Sequence, residues 1–285
     1  MSRPRTAIIP VAGQGTRLLP ATKSVPKELL PVYDTPLLQF ALNEAAAAGV
    51  ERVVLVTHPE KPGIEAYLEP RTLQVQALAK KGQHDLAAAL RDTGAPRYVD
   101  VVCVEQAQPL GLGHAVACAA PVSLPGPIAV ILPDDLILGP PCLAQMANAY
   151  ADADMSALVA AMDVMPNEVQ SYGIFDADPS DDMLLPSRGL VEKPDPSEAP
   201  SDLAAVGRYI LDARVFDLLK TQGPGAGGEI QLTDAIARLG GLFAFRFEGT
   251  RFDCGTHEGL LNASLARRER LLDTRFDILF DHAAE

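Results

Sequence analysis

The stretch VAGQGTRLLPATKSVPKELLP, Val11 to Pro31, continues from a short apolar run, TAIIPV at Thr6 to Val11, that reads as a buried strand. Backbone N–H groups in a glycine turn behind a strand form anion-binding concavities, so three kinds of phosphate loop can be tested here. A Walker loop needs G-x-x-x-x-G-K-[ST]. Lys23 and Ser24 are in place, but Thr22 stands where the second glycine belongs. A dinucleotide fingerprint needs G-x-G-x-x-G opening a helix. Gly13 and Gly15 match, but Leu18 replaces the third glycine and Pro20 interrupts the helix. The third reading is a glycine turn, Gly13-Gln14-Gly15-Thr16, with Arg17 directly behind it and Lys27 returned by the chain after Pro26. Glycines let backbone approach a triphosphate, and two cations on one loop suit a polyphosphate. A surface turn with solvated cations fits these residues too, so the rest of the chain must decide.

Outward from this loop, strand-like and helix-like stretches alternate. Pro36 to Ala48 reads as a helix, with Gly49 just past its end. Arg52 to Thr57 is a second buried strand, Arg71 to Arg91 is helical by composition, and Tyr98 to Glu105 is a strand. Gly113 to Ala120 begins a helix, Ile128 to Leu132 is a strand, and Pro141 to Ala153 is a helix. The alternation predicts an α/β protein with a Rossmann-like, mixed but mostly parallel central sheet flanked by helices. Beyond Ala157 come strands Ala157 to Asp163, Gly173 to Asp176 and Ala204 to Leu211, separated by loops rich in Pro, Asp and Ser. Phe243, Phe245 and Phe247 alternate as on a half-buried strand, and a terminal helix starts near Thr256. No linker divides the chain, so a single domain is expected over 1–285. The segment about 256–285 and the apolar stretch Leu73 to Leu90 are candidates for contacts between subunits.

The chain has 285 residues, enough for a substantial core, and a net charge of −13. That balance argues against a nucleic-acid footprint, and it makes any local cluster of Arg and Lys informative. The four cysteines form no CxxC pair or zinc spacing. The opening apolar run is too short for a signal segment, and no run approaches the ~20 apolar residues of a membrane span. A cytoplasmic protein with reduced thiols, and with no membrane or nucleic-acid partner, is expected.

AGQGTRLLPATKSVPKELLP strongly resembles the signature of the sugar-1-phosphate nucleotidyltransferases, G-x-G-T-R…P-K, in the form used by their bacterial uridylyl-transferring members. The resemblance implies the nucleotide-diphospho-sugar transferase fold, and it continues in order to about Leu260. It implies that Ala12, Gly13, Gly15 and Thr16 bind the nucleotide. In EQAQPLGLGHAV, Glu105 to Val116, Gln106 and Gly111 would hold the base; an amide suits a uracil edge because it both donates and accepts. His114 in the same run faces helix packing or the site rim rather than acting as a base. VILPDDLIL, Val130 to Leu138, ends an apolar strand in two carboxylates. Ligands bind at the carboxyl ends of strands in open α/β sheets, and hard oxygens suit Mg²⁺. Asp134 matches the family's metal ligand, and Asp135 is read as its structural partner.

Further on, YGIF and GLVEKP resemble the sugar-binding elements, with Gly173, Glu192 and Lys193 as the residues concerned. Neighbouring side chains on a strand point to opposite faces, so Glu192 and Lys193 can serve one site only if the backbone there is irregular. AAVGRYIL places Gly207 and Arg208 near the sugar, and GEIQLTDAI offers Glu229, with Thr233 and Asp234 left to the helix. FDCGTHEGL supplies Asp253 as a second metal ligand, while His257 stands where a lysine is expected and gets no role.

The activity so implied joins UTP and α-D-glucose 1-phosphate to give UDP-glucose and pyrophosphate with Mg²⁺, in a homodimer or homotetramer. Arg17, Lys27, Asp134 and Lys193 would be the catalytic residues. Relatives using dTTP or CTP are the nearest alternative, and a non-catalytic regulatory paralogue is another. The latter should lack a phosphate-gripping cation or the metal aspartate, and here all are present.

Overall fold

The computed structural model describes residues 3–150 and 155–281, with the side chains of 226 and 274–281 left out. Runs of β-branched and aliphatic residues form the strands β1 (Thr6–Pro10), β2 (Pro31–Val32), β3 (Thr35–Pro36), β4 (Arg52–Thr57), β5 (Asp100–Glu105), β6 (Ile128–Ile131) and β7 (Asp135–Leu138). The second half adds β8 (Ala157–Asp163), β9 (Gly173–Asp176), β10 (Leu184–Ser187), β11 (Gly189–Glu192), β12 (Leu203–Leu211), β13 (Leu242–Arg246) and β14 (Thr250–Asp253). The helices are α1 (Leu37–Ala47), α2 (Pro62–Leu68), α3 (Thr72–Lys80), α4 (His84–Arg91), α5 (Leu112–Cys118), α6 (Cys142–Ala149), α7 (Val215–Thr221), α8 (Leu232–Leu239) and α9 (His257–Asp281).

One ten-stranded sheet runs in the order β10-β13-β8-β12-β6-β1-β4-β5, with β9 and β11 branching from β12. The strands β6, β1, β4 and β5 are all parallel, so their carboxyl ends share one edge. There the chain leaves β1 into the glycine loop, β5 into Gln106 and β6 toward Asp134. β12 lies antiparallel between β6 and β8 and carries Gly207 to the same edge. A separate ladder pairs β7 with β14 and sets Asp135 opposite Asp253.

Alternation along β1 shows why the sheet is covered on both faces. Ile8 packs with Val116 of α5, Val215 of α7 and Ile236 of α8, whereas Ala7 and Ile9 pack with Leu38 and Leu42 of α1 and Met146 of α6. Most of these strands are therefore apolar on both sides, as parallel strands must be.

Two expectations shift. The helical stretch Arg71 to Arg91 is two helices, because Gly82 takes the left-handed conformation (φ +76°) that ends α3. The helix expected to Ala153 ends at Ala149, and positions 151–154 lie outside the described residues, as do 282–285 of the terminal segment.

Candidate active site

The glycine loop starts where β1 stops. Gly15 takes φ +66°, which a side chain would strain, and so turns the chain back toward Lys27. A Cβ at Gly15 would stand 3.2 Å from Lys27 Cβ, and one at Gly13 would stand 3.9 Å from Lys27 Cε. The Lys27 stem therefore lies along the loop, and its ammonium donates to Asp134 Oδ2 at 2.5 Å. Arg17 bridges the same carboxylate, 3.8 Å away, to Asp253 at 3.6 Å. The expected cations and carboxylates thus form one alternating chain, Lys27–Asp134–Arg17–Asp253.

Burial alone would lower the Lys27 ammonium, but Asp134 outweighs it and holds the pKa above the ordinary lysine value. Burial would raise the Asp134 carboxyl, and Lys27 overrides it in turn, keeping the group below the usual carboxylate range. Both members stay charged.

A second ion pair, absent from the sequence reading, holds the loop itself. The Lys61 ammonium donates to the Val11 carbonyl at 2.7 Å and to Glu28 Oε2 at 2.9 Å and Oε1 at 3.2 Å. Glu28 is fully buried beside Lys27, so one ammonium ties the start of the glycine loop to its end. Here burial wins: Glu28 is pushed up and Lys61 down.

A cleft of about 470 Å³ opens beside the acidic pair. Its walls include Arg17, Asp134 and Asp253, and opposite them Tyr172, Gly173, Glu192, Lys193 and Gly207. Glu192 and Lys193 do face one cleft, because Lys193 takes φ +47° and breaks the strand alternation. Close approach explains Gly207: a Cβ there would meet Leu132 Cβ at 2.6 Å and Asp135 Oδ2 at 2.7 Å. Gly207→Ala is expected to raise the KM for the sugar substrate at least tenfold, an order of magnitude set by small packing changes in a substrate pocket. An unchanged KM in steady-state assays would show that the wall is not used. Asp135 has the structural part expected of it, accepting from Gly207 N at 2.9 Å and from Arg251. Arg251 also donates to the Tyr172 hydroxyl at 3.0 Å and stacks over its ring.

A second cavity runs along the outer side of the glycine loop, lined by Ala12, Gln14, Thr16, Lys23 and Lys61. Gln106 and Gly111 lie together, joined by an amide-to-carbonyl hydrogen bond of 3.1 Å.

Two placements correct the sequence reading. The Arg208 side chain does not reach the sugar wall: its guanidinium is buried on the other face of β12, paired at 2.9 Å with Glu44 of α1. The cause is strand alternation, since Gly207 and Tyr209 face the cleft and Arg208 must face away. Glu229 sits exposed at the rim against Gly111, and Gln231, Leu232 and Thr233 line the cleft instead, the Thr233 hydroxyl lacking a protein partner. His257 is exposed at the start of α9, its Nε2 3.4 Å from the Leu19 carbonyl.

The donor set fits a small divalent cation. Asp134, in the turn after β6, and Asp253 of β14 both lie within 4 Å of the Arg17 guanidinium beside open space, and Mg²⁺ characteristically takes one or two carboxylates and completes its shell with water and phosphate oxygens. No fuller cage of three or more His, Cys, Asp or Glu exists among the described residues.

A family model for nucleotidyl transferases matches residues 6–270. A UTP–glucose-1-phosphate uridylyltransferase of Bacillus subtilis is 39% identical over 93% of this chain and 91% of its own. The UTP-bound UGPase from Acinetobacter baumannii superposes with a TM-score of 0.84 at 40% identity, covering 93% of each chain. A UDP-glucose pyrophosphorylase complexed with UDP-glucose superposes with a TM-score of 0.81 at 35% identity, covering 94% of this chain and 99% of its own.

Proposed function

As the chain belongs to the nucleotidyl transferase family, we propose that it joins UTP and α-D-glucose 1-phosphate to form UDP-glucose and pyrophosphate. The observation that carries this reading is the charge chain Lys27–Asp134–Arg17–Asp253, set between the glycine loop and the wall of Tyr172, Gly173, Glu192 and Lys193.

The chemistry follows from that placement. An oxygen of the sugar phosphate attacks the α-phosphorus of UTP in line; the new P–O bond forms as the bond to the β-phosphate bridge breaks, and pyrophosphate leaves. The attacking oxygen is already anionic, so the site needs no general base. Its work is to position two anions against their mutual repulsion. Arg17 and Lys27 neutralise the triphosphate and the departing pyrophosphate. Lys193 screens the attacking phosphate, and Glu192 and the backbone at Gly173 accept and orient the hexose. Gln106 reads the uracil edge, with Gly111 beneath the ring. Asp134 and Asp253 would hold Mg²⁺, which supplies charge neutralisation across the phosphates.

Four unpaired cysteines agree with the expected cytoplasmic setting. No helix among the described residues is long and apolar enough to cross a membrane. The homodimer or homotetramer expected from the resemblance would draw on exposed apolar side chains, Leu261 and Leu265 of α9 or Leu73 and Leu86 of the α3–α4 pair.

Steady-state turnover of UTP, dTTP, CTP and ATP with glucose 1-phosphate and Mg²⁺ tests the proposal. UTP should give the highest kcat/KM. Preference for another nucleotide, or inactivity with all of them, would overturn it.

A further inference from the structure

Gln106 is held more tightly than a solvent-facing amide needs to be. It is buried at the end of β5, where its backbone N–H donates to Thr57 O at 2.8 Å. Its side-chain nitrogen lies 3.1 Å from the Gly111 carbonyl and 3.0 Å from His114 Nδ1. A carbonyl oxygen can only accept, so the atom against Gly111 must be the amide NH₂, which fixes the two ends of the group. That nitrogen has only a hydrogen to offer His114. Nδ1 therefore accepts, and the ring proton sits on Nε2, 3.8 Å from Cys118 Sγ.

Both amide hydrogens are then engaged inside the protein. Oε1 makes no hydrogen bond among the described residues, and it is not one of the sealed, unpartnered atoms. The side chain offers a ligand an acceptor and nothing else.

We propose that His114 is a specificity-determining positioning residue: by accepting from Gln106 it presents only Oε1 to the nucleobase and so selects pyrimidines that donate at N3. The inference rests on the reading above that places the base at Gln106. Uracil and thymine carry a hydrogen at N3. Cytosine carries a lone pair there, so two acceptors would face each other with neither satisfied. His114 thus separates UTP from CTP, and leaves UTP and dTTP to be told apart elsewhere. Gly111 alone cannot do this, because an amide held by one hydrogen bond can rotate as a whole and turn its NH₂ toward a cytosine.

The test compares kcat/KM for UTP and CTP, with glucose 1-phosphate and Mg²⁺, in the wild type, His114→Leu and His114→Asn. In His114→Leu the UTP:CTP ratio should fall about tenfold or more, the value of one hydrogen bond freed to mispair. In His114→Asn, whose Oδ1 stands one bond from Cγ as Nδ1 does and can accept from Gln106, the ratio should stay within about threefold of wild type, a difference below the worth of one hydrogen bond. If the leucine variant does not fold, His114→Ala, which has no side-chain acceptor, takes its place. Equal losses with both nucleotides, leaving the ratio unchanged, would overturn the proposal and leave the activity standing. A wild type that prefers CTP would overturn both.

Discussion

Replacing Lys27 with alanine is expected to lower kcat for UDP-glucose formation by roughly a hundredfold or more, about 3 kcal/mol of transition-state stabilisation, as removal of single charged or hydrogen-bonding donors does in other enzymes. Two losses combine. The ammonium that would meet the triphosphate is gone, and Asp134 loses its 2.5 Å partner. Arg17, 3.8 Å away and more than half exposed, is then the nearest cation to that carboxylate. Burial then works against Asp134 as an anion, because its nearest countercharge is gone. The reverse reaction, UTP release from UDP-glucose and pyrophosphate, reads the same step. A variant that folds normally and keeps a near-normal rate in both directions would remove Lys27 from the mechanism.

Arg208→Met should act in the opposite register, on stability and not on the sugar. Arg208 is 2% exposed; its guanidinium donates to both oxygens of Glu44, and Nη1 donates to the Leu132 and Gly207 carbonyls. Removing one member of a buried pair strands the other, at a cost of about 3–5 kcal/mol. That corresponds to a drop in Tm on the order of 10 °C for a chain of this size. The KM for glucose 1-phosphate, measured well below the transition, should be unchanged. Adding Glu44→Leu should recover much of the Tm, because an apolar pair carries no stranded charge. An elevated KM with an unchanged Tm would return Arg208 to the sugar wall.

Most of the architecture was legible because it rests on local patterns. Arg52–Thr57, Ala157–Asp163 and Gly173–Asp176 are strands with the bounds their apolar runs suggest. The edge that gathers the glycine loop, Gln106 and Asp134 follows from parallel strands alone. Arg208 could have been placed by the alternation rule that exposed the irregular backbone at Lys193: a residue next to Gly207 on the same strand has to face away from the cleft. Other parts had no local signal. Arg251 meets Asp135 across the β7–β14 ladder, 116 positions away, and Lys61 meets Val11 from 50 positions away. Each looks like an ordinary surface cation until the fold brings its partner to it. Thr233 reads as a helix residue, and only the docking of α8 beside the cleft turns its hydroxyl inward.

The Lys61 ammonium also closes a ring. Val11 and Glu28 are pinned to one point, so the residues between them form a loop whose two feet cannot move apart independently. Closing such a loop depends only logarithmically on its length. The crest at Lys23 to Val25, past the Thr22 hydroxyl that donates to the Gly15 carbonyl at 2.8 Å, can therefore be lengthened, shortened or exchanged with a relative's while the feet, and Lys27 beside them, stay in register. The ring makes this loop a natural module for altering what happens at the pyrophosphate end without rebuilding the catalytic floor.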